Sequence, residues 1–334
     1  MNNFKKIGLT ALAASLVSVS ANAGAISVAG SASIGTAGYS GTSVVSGNEW
    51  SMGNQLTFSG SGELDNGLNV SVSFVLDQGD DAAALNTTTM AGAPFDSHSV
   101  TISSDSLGTL VFSGEGGSST ASAIDTTAAG DLWDAFDGMT NAKGQSDANN
   151  VASATAGVGN NAFFYTTPEL MEGLTFTASW GPSAATTEAK TGYGLNYTGV
   201  EGLTVKYASA DVIKGNTATA NGDSTVMNIS YAYGPVTATY SDMEYDIGTA
   251  SADVDTTAWK VSYTVSDELS VSYMQETIDR EGETVDAEYE GISASYTSGG
   301  MTLTAGMYES DAASFSAAAN EDYEKWTLGA SFAF

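Results

Sequence analysis

Asp96 and His98 stand two residues apart and form the one pair in this chain that could move a proton at neutral pH, because His98 is the only histidine. No motif places a serine or a second acid beside them. Strand alternation puts His98 on the same parity as Val100 and Ile102, pointing outward near the end of a strand, where a rim or subunit contact accounts for it. There is no cysteine, which excludes thiolate chemistry and Cys-ligated zinc, and no phosphate-cradling glycine motif is present. The residues therefore describe no enzyme. What they do offer is carboxylate. Glu115, Asp125, Asp131, Asp134, Asp137 and Asp147 fall in one long connection and supply hard oxygens that could hold calcium, with Asp131, Asp134 and Asp137 the nearest set, although the regular spacing of an EF-hand loop is missing. Asp77, Asp80 and Asp81 form a second acidic group that reads as solvated loop charge. No other cofactor is implied.

The chain opens with Lys5 and Lys6, an apolar run from Ile7 to Val19, and Ala21-Asn22-Ala23, which is the pattern of a secretory signal peptide over residues 1–23 with the mature chain starting at Gly24. That run is too short for a spanning helix, which needs about 20 residues, and no longer apolar run follows. A membrane position would then require a closed barrel. Without Lys5 and Lys6 the chain carries 7 basic residues against 39 acidic ones. Such a balance excludes nucleic acid as a partner, because phosphate contacts need clustered Lys and Arg.

From residue 25 onward apolar residues alternate with small or polar ones. Leu68, Val70, Val72, Phe74 and Leu76 share one parity, with Asn69, Ser71 and Ser73 on the other. Trp259, Val261, Tyr263 and Val265 alternate with Lys260, Ser262 and Thr264; Trp326, Leu328, Ala330, Phe332 and Phe334 alternate with Lys325, Thr327 and Ser331. This period of two predicts strands. Tight turns such as Asp65-Asn66-Gly67 and Tyr233–Pro235 alternate with longer acidic connections at about 36–48, 78–96, 115–160, 181–189, 211–223, 245–256, 279–286 and 310–321. Sixteen strands result, from 25–35 to 322–334, with both termini on the tight side. The prediction is an all-β, antiparallel up-and-down transmembrane barrel over residues 24–334. A soluble or surface-anchored β-rich adhesin would also alternate, but its outer parity would carry charge. Here that parity is mostly Ser, Thr, Ala and Gly, with charge assigned to the long connections. Tyr197, Tyr231, Tyr233, Tyr263, Tyr296 and Phe332 lie near the tight end on the apolar parity, as an interfacial girdle would. Lys190, Lys206, Lys260 and Lys325 all fall on the polar, lumen-facing parity.

Within the longest connection, Asp131–Met139 reads as a short amphipathic helix bracketed by Gly130 and Gly138. Leu132, Trp133, Phe136 and Met139 occupy one arc and Asp131, Asp134 and Asp137 the other.

The leader, Ile26-Ser27-Val28-Ala29-Gly30 and the terminal Leu328-Gly329-Ala330-Ser331-Phe332-Ala333-Phe334 resemble the Gram-negative trimeric porins of alphaproteobacterial type. The resemblance covers the whole mature chain as a pattern. It implies a homotrimeric general-diffusion porin in the outer membrane, embedded among lipopolysaccharide and other outer-membrane lipid, passing small hydrophilic solutes and ions. It implies that Phe334 is the signal read by the outer-membrane assembly machinery. It also implies that the third long connection, 115–160, folds inward as the constriction, with Glu115, Asp125, Asp131, Asp134 and Asp137 on it and Lys190, Lys206, Lys260 and Lys325 as the basic wall. In that family the wall is usually richer in arginine; Arg280 is the only arginine here. The acid excess points to a cation-preferring pore. A substrate-selective channel is the alternative within transport.

Overall fold

The computed structural model describes residues 26–40, 48–77, 95–136, 160–183, 188–214, 221–246, 253–313, 315 and 322–334. The leader, most of the 78–96 connection and the part of the third long connection after Phe136 lie outside the described residues. The strands are β1 (Ser27–Ser40), β2 (Asn48–Glu63), β3 (Asn69–Asp77), β4 (Ser97–Ser104), β5 (Gly108–Glu115), β6 (Ala162–Thr166), β7 (Leu174–Gly181), β8 (Lys190–Tyr197), β9 (Leu203–Lys214), β10 (Asn221–Tyr233), β11 (Val236–Asp246), β12 (Val254–Thr264), β13 (Leu269–Arg280), β14 (Ala287–Ser298), β15 (Met301–Asp311) and β16 (Tyr323–Ala333). Each pairs antiparallel with its neighbours in sequence, and β1 closes on β16. One sheet closed on itself replaces the two stacked sheets of a sandwich, and closure removes every unpaired edge. The seam is completed at the last residue, where Gly30 and Phe334 exchange backbone hydrogen bonds of 2.7 and 2.9 Å.

The expected parity holds around the ring. Trp259, Val261 and Tyr263 pair with Gln275, Tyr273 and Val271, while Lys260 and Ser262 pair with Met274 and Ser272. The exposed large apolar residues fall on the first parity, among them Ile292, Met307, Trp326 and Leu328. All six residues of the expected girdle do too: Tyr197 pairs with Leu174, Tyr231 with Leu203, Tyr233 and Tyr263 with Val236, and Tyr296 and Phe332 with Leu303 and Met301. A tight turn at Gly67 shows the local cause of the hairpins. Its φ of 80° lies in the left-handed region that a glycine reaches without steric cost.

Two expectations need correction. The sequence reading assigned the acids to long connections, yet several strands run on into those spans. β9 continues to Lys214, β11 to Asp246 and β13 to Arg280. Asp255 and Asp279, from spans expected as connections, therefore sit on strands; with Asp242, Glu244, Glu288, Glu290, Glu309 and Glu324 they lie on the apolar parity, beyond the last large apolar residue. Height rather than parity keeps them out of hydrocarbon. The wall is also uneven: β3 to β8 have 5 to 9 residues each and β9 to β16 have 11 to 13.

Candidate functional site

The site forms where the segment after β5 meets the polar parity of the far wall. Gly116–Phe136 carries few charges but many small residues, and small residues let its backbone lie flat against strands. Ala121 packs on Ala208, Ala210, Val226 and Met243. Further along, Ala128, Ala129, Leu132 and Phe136 are buried against Val254, Ala258, Met274, Ile278, Ala287 and Tyr289. Phe136 is fully buried, its ring 5.8 Å from that of Tyr289. Each of these strand residues belongs to the parity opposite the exposed apolar one.

Polar bonds fasten the same segment at four places. Thr120 N donates to Ser179 Oγ on β7 at 3.0 Å, and Thr120 Oγ1 donates to the Ser209 carbonyl on β9 at 3.0 Å. Ala128 N donates to Ser241 Oγ on β11 at 2.7 Å. Glu276 on β13 takes three donors: Thr127 Oγ1 at 2.6 Å, Leu132 N at 3.3 Å and Trp133 N at 3.2 Å. Lys325 Nζ on β16 donates to the Ala135 carbonyl at 2.7 Å and lies 5.2 Å from the Tyr39 ring centre. The wall thus supplies both caps of the short 3-10 helix Leu132–Phe136. A carboxylate meets its first amides and an ammonium meets its last carbonyls, the signs that the peptide dipoles favour.

The expected amphipathic helix over Asp131–Met139 is corrected in type and length. A 3-10 turn occupies Leu132–Phe136, and Asp137, Gly138 and Met139 lie outside the described residues. Leu132 and Phe136 are buried and Asp134 is exposed, as the two arcs predicted. Asp131 stands just before the turn, where its carbonyl accepts from Asp134 N at 3.1 Å. Its N–H donates to Thr127 Oγ1 at 2.8 Å while its Oδ1 accepts from Thr127 N at 2.9 Å. This reciprocal closure holds it at a φ of 56°, which Asp tolerates better than most residues. Burial pushes the Asp131 carboxyl above its usual range, against the lowering effect of the Thr127 amide; the charges of Asp125 and Asp134 add to the rise. A raised carboxyl binds its proton more tightly folded than unfolded. Its stabilising effect is complete below the unfolded pKa of about 3.9 and is lost as pH climbs towards the folded value. Asp131→Asn keeps the Oδ1 acceptor and removes the charge, so it should raise the melting temperature at pH 7 relative to the parent. The gap should close below about pH 4, as thermal melts across pH would check.

The other expected site residues are distributed as follows. Glu115 ends β5, and Asp125 lies half-buried between the two packed stretches. Lys190, Lys206 and Lys260 are on β8, β9 and β12, on the polar parity. Lys325, expected as free wall charge, is a tether. Glu276 and Ser241 were not singled out from the sequence. The available signal was a lone acid at mid-strand on the parity of Ser270, Ser272 and Met274. Among the described residues no three His, Asp or Glu side chains converge as a metal ion would require. Phe334 is exposed at the seam, its ring lying over Gly30.

A family model described as Gram-negative porin matches residues 8–334. No curated protein matches the chain. Solved structures share the fold at low identity. An anion-selective porin from Comamonas acidovorans superposes with a TM-score of 0.65 at 15% identity, covering 93% of this chain and 99% of that one. OmpF from Salmonella typhi, in complex with daunomycin, gives 0.65 at 12%, covering 93% and 98%. A loop L8 deletion mutant of OmpT, an outer membrane protein of Vibrio cholerae, gives 0.63 at 11%, covering 93% and 99%.

Proposed function

From the premise that this chain belongs to the Gram-negative porin family and sits in the outer membrane as a diffusion channel, we propose that it prefers cations and that segment 116–136 narrows its lumen. The observation that carries this reading is the fastening of the segment to the polar parity of β7 to β16. In a barrel whose apolar parity meets lipid, that parity encloses water. The narrowed opening then carries the exposed carboxylate of Asp134, with Asp125 nearby. Acids outnumber bases 39 to 9 over the sequence, so the lumen attracts cations and repels anions. Reversal potentials in a planar bilayer under a salt gradient test it. The expected sign is that of cation selectivity, and the preference should shrink as ionic strength rises and the screening length contracts. An anion-selective or unselective potential at low salt overturns it. The anion selectivity of the Comamonas protein belongs to a chain of 15% identity and sets no sign here.

Three further features belong to the same reading. Residues 1–23 direct export and are removed. Three copies associate, with the short arc β4 to β8 turned towards the neighbours: strands of 5 to 8 residues fall below the 9–11 that a tilted spanning strand needs. The acids beyond the apolar belt on β11 to β16 meet the headgroups of lipopolysaccharide and other outer-membrane lipid, and Phe334 addresses the assembly machinery.

A further inference from the structure

Four of the five tryptophans, Trp50, Trp180, Trp259 and Trp326, stand exposed on the apolar parity. The fifth, Trp133, belongs to the segment that is fastened to the polar parity. Its N–H donates to Glu276 Oε1 at 3.2 Å, which fixes where the residue sits. Leu132 and Phe136, 4% and 0% exposed, seat the turn on the wall. Trp133 only rests against that cluster and stays partly exposed. Two side chains thus do the anchoring, and a third, larger one is left partly in water. The charge beside it is acidic. Asp134, the next residue, is exposed, and its charge and that of Asp125 both reach Asp131. Lys325, which also reaches this turn, is already engaged: its Nζ donates to the Ala135 carbonyl at 2.7 Å and lies 5.2 Å from the Tyr39 ring centre. That contact is itself a cation set over an aromatic face.

We propose, on the reading that segment 116–136 narrows the lumen, that Trp133 is a platform for organic cations, with Asp134 supplying the attracting charge. An aromatic ring draws a cation to its face through its quadrupole, and indole does so best. The gain goes to weakly hydrated cations such as guanidinium and quaternary ammonium groups, whereas a strongly hydrated ion keeps its water. At an exposed site the ring multiplies occupancy about two- to fivefold. The neighbouring carboxylates turn away flat anions, which could otherwise stack on the same face.

Bi-ionic reversal potentials across planar bilayers holding the assembled protein test this, with tetramethylammonium chloride on one side and potassium chloride on the other. A wide aqueous channel without such a platform passes the two cations in the ratio of their mobilities in water. Here tetramethylammonium should exceed that ratio about two- to fivefold. Trp133→Leu keeps the amide held by Glu276 and an apolar side chain but removes the ring, and should return the ratio to that of the mobilities. Trp133→Phe keeps a weaker ring and should fall between. A role in seating the turn alone would alter potassium conductance in both variants without ordering the ratio by the ring. A parent at the mobility ratio, or a Trp133→Leu channel with the parent's ratio, overturns the proposal, and the parent measurement decides the matter if the variants fail to assemble. Potassium chloride gradients on the same preparation report the preference for cations over anions separately. An anion-selective parent with excess tetramethylammonium permeability refutes the proposed function alone; a cation-selective parent without the excess refutes the platform alone.

Discussion

Glu276→Ala should convert a steady conductance into one with frequent excursions to a larger open level. The Glu276 carboxylate is 1% exposed and accepts from Thr127 Oγ1, Leu132 N and Trp133 N, so it joins β13 to the start of the 3-10 turn. Hydrogen bonds of this kind contribute about 0.5–3 kcal/mol each, the most when the acceptor is charged. Part of that offsets the cost of keeping a carboxylate out of water, which amounts to several kcal/mol. Removal also leaves two amides and a hydroxyl without acceptors beside an apolar cluster. A net loss of about 2–3 kcal/mol in the docking of the segment is expected, raising the released population roughly 30- to 150-fold. The barrel ladders themselves are untouched, so heat-modifiable migration on a gel should persist. Glu276→Gln retains one acceptor oxygen and should fall between parent and alanine variant. Single-channel recordings that show equal noise and equal conductance in all three proteins would exclude Glu276 as the clamp.

The barrel was legible in the sequence because alternation is local. Each strand such as Trp259–Val265 declares its two faces within a few residues, and the tight turns declare where it ends. Sixteen strands and the girdle tyrosines follow from that. The clamp was not legible, because its partners lie 143 to 149 residues apart and nothing near Glu276 announces Trp133. Lys325 illustrates the limit. Alternation places it on the correct parity, but only the approach of Ala135 makes it a cap rather than a free charge. The same holds for Asp131, whose spacing from Asp134 fits one helical face until the bonds to Thr127 turn the backbone into the left-handed region. The strand extensions at Asp246, Asp255 and Asp279 were hidden for another reason. Acids on the apolar parity mimic loop composition, and only their height above the belt reconciles them with a strand.

Val261→Arg and Ser262→Arg should have opposite consequences although they are adjacent on β12. Val261 pairs with Ala238 and Tyr273 on the apolar parity, between Trp259 and Tyr263. Ser262 pairs with Thr237 and Ser272 on the other parity and shares a 2.8 Å hydroxyl contact with Ser272. Arginine near the bilayer midplane on a barrel's lipid face costs about 2–4 kcal/mol. Unfolding in denaturant from lipid vesicles should therefore show Val261→Arg destabilised by about that amount. Ser262→Arg meets water, so its folding should be nearly unchanged while its reversal potential moves towards anions. If Ser262→Arg were the destabilised variant, the lipid and water faces would be exchanged around the whole ring. The register from β11 through β16 to β1 runs without a shift, so assigning one residue of β12 fixes which face its neighbours present across that arc.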